Sequence, residues 1–370
     1  MLTRRRIGVR AVELKDYLMT MVNCDASDLY LSPGIWPSMR VEGQIQPAAD
    51  KLLDADQVRK LAYSVMNGTQ RRTFEQELEI TLGFGIEGAG RFRANIYHHR
   101  GLVGMVIRYL KSKIPVLASL GLPDILGELI MQRQGLILVV GATGSGKSTT
   151  LASMLHHRNM RMAGHMVLIE DPIEYFHLHK CSIMTQRELG TDTHSYHKAL
   201  ASAMHEAPDV VMIGEIRDTE TMEYAMHFAE TGHLCLATLH AGTCCQAVER
   251  IINFFPRAVQ TRVLQNLALE LRAVIAQRLV PSKTGKRVAA VEHMINTPAI
   301  ADLIRRGDIG VLKEHFYKPV ATGAESFDNA LLTLLQHGTI DEQTAIDYAE
   351  SQHDMQILIA DLDQSVKDDE

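Results

Sequence analysis

The stretch Leu136-Ile137-Leu138-Val139-Val140, followed by Gly141-Ala142-Thr143-Gly144-Ser145-Gly146-Lys147-Ser148-Thr149, decides how this chain is read. Consecutive apolar residues without alternation fit a β-strand covered on both faces. The residues after it satisfy the pattern GxxxxGK[ST] at every position. Gly141, Gly144 and Gly146 let the backbone curl, so that successive N–H groups through Thr143, Gly144 and Ser145 point inward at phosphate oxygens. The dipole of the helix that starts near Lys147 adds to that attraction. Lys147 reaches the β and γ phosphates, Ser148 offers a hydroxyl to Mg²⁺, and Thr149 lies beside it at the mouth of the loop. Leu151, Met154 and Leu155 recur at helical spacing and form the face that packs on the sheet. The implied cofactors are ATP and Mg²⁺.

Working outward, three further apolar runs end in polar residues: Met166 to Ile169, Val210 to Ile213 and Leu234 to Leu239. Helical segments separate them, which predicts a parallel sheet with crossover helices, an α/β fold. In such sheets ligands bind at the carboxyl ends of the strands. Glu170-Asp171-Pro172-Ile173-Glu174 follows the first run, and a carboxylate beside the γ-phosphate can orient the attacking water. Glu215, in Gly214-Glu215-Ile216-Arg217-Asp218, takes the end-of-strand position that holds Mg²⁺ directly or through water. His240 closes the third run and His233 precedes it; a histidine there either senses the γ-phosphate or caps a strand.

Upstream, from Ala26 to about Lys111, short strand-like runs such as Asp28 to Leu31, Ile80 to Phe84 and Arg91 to Arg108 surround a helical stretch near Asp54 to Met66. These predict a separate small α/β domain over residues 1–111. Pro115 and Pro123 mark a linker over 112–122, and the ATPase core follows over 123–285. After about Arg278 the chain turns helical, and 286–370 reads as a helical region with an acidic, frayed tail.

Composition sets the outer limits. At 370 residues more than one domain is expected. A net charge of -6 provides no global attraction to nucleic acid, so nucleic acid is not an expected partner. No stretch reaches the ~18 consecutive apolar residues of a membrane span. Arg4, Arg5 and Arg6 are followed by Gly8 and Arg10 before any signal-peptide core develops, which predicts a cytoplasmic protein. The five cysteines contain no CxxC pair, and Cys235 reads as a small buried hydrophobe. The run His177 to Cys181 lacks the further ligands a zinc site needs.

The order of these boxes resembles the secretion ATPase superfamily, the hexameric motors of type II secretion and type IV pili. It comprises the P-loop, an Asp box from Ile169 to Glu174, a Walker B box from Val210 to Asp218 and a His box from Gly232 to His240. Ala26-Ser-Asp-Leu-Tyr-Leu31 and Gly90-Arg-Phe-Arg-Ala-Asn95 resemble the opening domain of pilus retraction ATPases, so the resemblance spans nearly the whole chain. Thr221 to Ala241 is similar to the accessory, PilU-like branch. The PilT-like branch carries the motif AIRNLIRE, where this chain has Ala299-Ile-Ala-Asp-Leu-Ile-Arg-Arg306, with Ala301, Asp302 and Arg306 in place of arginine, asparagine and glutamate.

The resemblance implies a PAS-like N-terminal domain, a RecA-like ATPase domain and assembly as a homo-hexamer. It implies Glu174 as catalytic carboxylate, Glu215 as Walker B acid, His233 and His240 as His-box residues, and Arg93 and Arg108 as arginines that close over the phosphates. It further implies a PilT-like retraction ATPase and an inner-membrane pilus platform protein as partners, at the cytoplasmic face of the pilus base. His205 departs from the family, where many relatives have arginine. A nucleotide-binding scaffold dependent on a partner ATPase is the second reading, favoured by the altered C-terminal motif. A small-molecule kinase or nucleic-acid translocase would need a substrate motif or a basic groove.

Overall fold

A computed structural model describes residues 13–41, 43–110, 113–316 and 323–368. Arg4 to Arg6, Arg10, Lys111 and Glu370 lie outside the described residues. The chain divides into two units, one comprising Met1–Lys113 with Glu174–Phe176 and the other Ile114–Ile173 with His177–Glu370.

The first unit carries α1 (Leu14–Asn23), β1 (Asp28–Leu31), β2 (Ser38–Val41), β3 (Gln44–Pro47), α2 (Ala55–Ser64), α3 (Gly68–Glu77), β4 (Glu79–Ile86), β5 (Gly90–His99) and β6 (Leu102–Leu110). Two antiparallel meanders join where β1 pairs with β6, giving the order β3-β2-β1-β6-β5-β4. Alternation works as the strand period requires: Phe92, Ala94 and Ile96 of β5 are buried, as are Met105 and Ile107 of β6. Leu18 and Met21 of α1, Val58 and Ala62 of α2, and Phe74 of α3 complete this core. Helix α3 has little apolar text, and Phe74 is its buried residue. Its boundaries come from Asn67, whose side chain accepts from the N–H groups of Thr69 and Gln70, and from Leu78 in the left-handed conformation.

The second unit begins with a 3₁₀ turn at Leu117–Ser119, inside the expected linker, whose Leu117 is buried. It continues through α4 (Ile125–Leu129), β7 (Gly135–Val140), α5 (Lys147–Asn159), β8 (Gly164–Glu170), β9 (Ser182–Glu188), α6 (Tyr196–Ala203), β10 (Val210–Ile213), α7 (Thr219–Glu230), β11 (Leu234–Leu239), α8 (Cys244–Phe254), α9 (Arg257–Glu270), β12 (Leu271–Pro281) and β13 (Arg287–Ile295). It closes with α10 (Pro298–Arg306), α11 (Ile309–Phe316), β14 (Ala324–Glu325), α12 (Phe327–Gln336), α13 (Glu342–Tyr348) and α14 (Gln352–Asp368). The sheet order is β14-β13-β12-β7-β11-β10-β8-β9, parallel from β12 to β9 and antiparallel across β12, β13 and β14. Every residue of β7, β10 and β11 is buried. Along β7 the side chains alternate between two layers. Leu136, Leu138 and Val140 join the core shared with α6 to α9, whereas Ile137 and Val139 join the core shared with α4 and α5. Leu151, Met154 and Leu155 of α5 lie in the second layer, as their spacing requires.

The expectation that the chain turns helical after about Arg278 is corrected. β12 runs on to Pro281, and β13 pairs antiparallel with it from Ala273↔Ile295 to Pro281↔Arg287. A tight turn closed by Ser282 N–H on the Lys286 carbonyl makes this possible, with Gly285 at φ +77. The acidic end is helical through Asp368 rather than frayed. No helix among the described residues is long and apolar enough to cross a membrane.

Candidate functional site: a P-loop with acidic strand ends

The loop between β7 and α5 is built on two glycines that no other residue could replace without displacement. At Gly141, φ is +151, and an added Cβ would overlap the Ser145 hydroxyl and stand 2.5 Å from the Gln277 carbonyl oxygen. At Gly146, φ is +94, and a Cβ would meet the Gln277 amide nitrogen at 2.7 Å. Gly144, also at positive φ, has open space around it. Lys147 Nζ donates to the carbonyls of Gly141 and Ala142, both at 2.9 Å, which folds its side chain back over the loop. The N-cap position of α5 is Gly146, which brings no side chain over the helix start. Ser145 is buried with its hydroxyl unpaired, whereas Thr143 is exposed and Ser148 and Thr149 are half-buried. A helix start, a curled loop and a lysine fit a phosphate chain, and the Ser148 hydroxyl is an oxygen donor of the kind Mg²⁺ takes.

At the neighbouring strand ends four polar side chains, Glu215, Arg217, Asp171 and His240, form one network. Glu215, just beyond β10, receives Arg217 on Oε2 at 2.7–2.8 Å, and its Oε1 faces His240 Nε2 at 3.0 Å. Arg217 also reaches Asp171, beyond β8, at 3.5 Å. The pairing with Glu215 raises the Arg217 pKa, which keeps the guanidinium charged. Gly214 is required here because a Cβ would stand 2.8 Å from the Tyr196 hydroxyl and 3.1 Å from the Ile169 carbonyl. Thr238 Oγ1 donates to the Gly214 carbonyl and Ile216 N–H to the Thr238 carbonyl, which locks the two strand ends together. Neither Arg217 nor Asp171 was assigned a part from the sequence. The signal was present in their position four residues or fewer after a buried strand.

His233 does not join this network. It precedes β11 and His240 follows it, so six extended residues, about 20 Å of strand, separate the two rings. His233 therefore stands at the end of β11 remote from Glu215 and His240. His233 Nδ1 contacts the Thr231 hydroxyl and the Phe228 carbonyl, the interactions of a strand-start cap. His205 is exposed and precedes β10, at the end of that strand remote from Glu215.

Glu174 is exposed and belongs to the segment grouped with the first unit. In that unit Arg93 and Arg108 are direct cross-strand partners on β5 and β6, and Arg108 is in turn the partner of Asp28 on β1. Buried Asp28 accepts from Arg108 Nε at 2.8 Å and from the Ser27 hydroxyl at 2.8 Å, which fixes Arg108 in place. Outside these sites, His179 Nδ1 accepts from the Met184 N–H, so this ring caps the β9 edge.

The profile of the family described as Type II/IV secretion system protein matches residues 69–322. The type IV pilus ATPase PilU of Pseudomonas aeruginosa is 46% identical over 349 residues, covering 94% of this chain and 91% of that protein. The retraction ATPase PilT of the same organism is 37% identical, covering 90% of this chain and 97% of its own. A crystal structure of the pilus retraction motor PilT with bound ADP superposes with a TM-score of 0.86 at 39% identity, over 92% of this chain and 98% of that one. A P-loop closed by two constrained glycines, acids at the adjoining strand ends and similarity across nearly the full length leave one conclusion: the chain belongs to the Type II/IV secretion system protein family, as an ATPase of its type IV pilus branch.

Proposed function

We propose that this chain is an ATP-hydrolysing motor that works as a homo-hexamer to power type IV pilus retraction, as the accessory ATPase beside a PilT-like partner. The reading rests on one observation above the others. Glu215 stands at the β10 end, held by Arg217 and His240, beside a strand order that brings β10 within two strands of the P-loop strand β7. In this reading Gly141 to Thr149 bind the phosphates, Lys147 releases its two carbonyl partners to reach them, and Ser148 with Glu215 holds Mg²⁺. Glu174 acts as the general base that orients water, and Arg93 and Arg108 of the N-terminal unit neutralise developing charge. Bound MgATP supplies the phosphoryl group whose transfer to water drives the cycle. We read the N-terminal unit as a PAS-like domain and the P-loop unit as RecA-like. The motor would act in the cytoplasm against a platform protein of the inner membrane at the pilus base.

Steady-state ATPase activity beside the Glu174→Gln and Lys147→Ala variants tests the assignment. Turnover well above both variants is expected, and turnover no higher than theirs would overturn the motor. In the organism, deletion should leave surface pili intact while weakening retraction under load; undiminished twitching contradicts the pilus role.

A second reading, a nucleotide-binding scaffold active only with a partner ATPase, is favoured by α10. There Asp302 is paired within its own helix, to Arg306 at i+4 and to Arg305 at 3.6 Å. These acidic and basic groups pair along one face of the helix. ATPase activity that appears only on adding a PilT-like protein would select this reading.

A further inference from the structure

β12 is almost wholly apolar where it is buried: Leu271, Ala273, Val274, Ile275, Ala276 and Val280 surround one buried amide, Gln277, 3% exposed. A primary amide in such a strand destabilises the fold unless its hydrogen-bonding groups are satisfied, so the contacts it makes are informative. Ala276 pairs with Val140, the last residue of β7, which brings Gln277 level with the first residue of the P-loop. From there it meets the loop at three points. Its backbone carbonyl oxygen closes over Gly141, whereas its side-chain nitrogen lies against Gly146. Its Oε1 accepts the hydroxyl of Thr150 at 2.7 Å. Thr150 is fully buried, and its own N–H makes the first helical bond of α5, to Gly146 at 3.0 Å.

We propose that the Gln277 side chain is a positioning group for nucleotide binding, which holds Gly146 of the P-loop and the first turn of α5 in the geometry that receives phosphate. The proposal rests on the reading of Gly141 to Thr149 as the nucleotide site. The Gln277 side chain is assigned no contact with phosphate or metal; it acts through Gly146 and Thr150. An aliphatic residue of similar volume would fill the same space but release the hydroxyl of Thr150 and the register of the helix start. Because Gln277 shapes the cradle that receives phosphate and is assigned no part at the reacting atoms, the loss should fall on affinity more than on the chemical step.

The test measures ADP affinity of the full chain, with KM and kcat for ATP, in Gln277→Leu, Thr150→Val, the double variant and Thr150→Ser. Gln277→Leu is expected to weaken ADP binding about tenfold and to raise KM similarly, with kcat within about twofold. Thr150→Val should do the same, the double variant should be no weaker than either single one, and Thr150→Ser, which keeps the hydroxyl, should bind as the parent does. ADP affinity of folded Gln277→Leu within twofold of the parent overturns the proposal, as do additive losses in the double variant or a Thr150→Ser loss equal to that of Thr150→Val. Melting curves establish that each variant is folded; should Gln277→Leu not fold, the contrast between Thr150→Ser and Thr150→Val decides. The parent and Lys147→Ala separate this from the underlying reading, since ADP binding that survives Lys147→Ala overturns the nucleotide site itself.

Discussion

Glu215 carries a guanidinium and an imidazole on its two oxygens, whereas Glu292 is shut into the interior with a backbone N–H as its bonded partner. Glu215 meets Arg217 and His240 at hydrogen-bond distance on separate oxygens. Glu215→Gln keeps the shape but removes the charge, so ADP should still bind while turnover falls by about a hundredfold or more, the scale of a lost acid–base or metal-holding group; equal kcat in the variant contradicts the assignment. Glu292 is 4% exposed on β13, and burial pushes its pKa up to about 7 against the bond from the Cys244 N–H at 2.6 Å. The folded protein thus holds a proton that the unfolded chain gives up near its ordinary value of 4.5. Stability contributed by this group is present below that value, declines as pH rises towards about 7, and is level above it. The whole swing is about 3 kcal/mol at most, from roughly 1.4 kcal/mol per pKa unit. Glu292→Gln should accordingly raise Tm at pH 8 relative to the parent and leave it nearly unchanged at pH 5, by calorimetry at both values.

Among elements, β12 carries different cargo on its two faces. Gln277 faces the P-loop, and Arg278, next along the strand, stacks its guanidinium 3.9 Å above Phe327 of α12 while bonding the Tyr348 carbonyl and Glu350. Arg278→Ala removes the stacking and both bonds, at a cost of about 1–2 kcal/mol. Amide exchange should quicken in α12 and α13 while β7 and β11 remain protected; uniform exchange across the unit would contradict this. Helix α7 depends on Asp218, whose carboxylate accepts from the Thr221 N–H at 2.8 Å. Asp218→Ala should lower stability by about 1 kcal/mol in thermal melts with ADP affinity unaltered, since a lost N-cap weakens the helix start alone. The strands β7, β8, β10 and β11 were legible because each is a short apolar run bounded by polar turns. β12 was not, because α9 passes into it at Glu270 and Leu271 without a glycine or proline to mark the change. β9 was hidden by its polar residues Thr185, Gln186, Arg187 and Glu188, as suits an edge strand.

At the scale of the whole molecule, each unit has its own core. The residues that fill the first, from Leu14 to Ile107, all precede Lys113. A fragment ending at Lys113 should therefore fold alone, with a cooperative melt and the circular dichroism of mixed helix and strand; a gradual, baseline-free transition would show that the sheet needs the rest of the chain. The second unit's sheet is covered on both faces by separate layers that meet only through its strands.

By itself the sequence determined the P-loop, the acid at the β10 end, the order of the four boxes and the division into a mixed N-terminal unit and a parallel α/β unit. These are local: glycine spacing, apolar run length and the residue after a strand depend on neighbours along the chain. Tertiary structure alone decided that Arg217 ties Glu215 to Asp171 and that Asp28 fixes Arg108. It alone decided that Gln277, more than 120 residues from Thr150, bonds that hydroxyl. Such pairings depend on strand order and register, which set neighbours across a sheet and leave no periodic trace in the residues that meet.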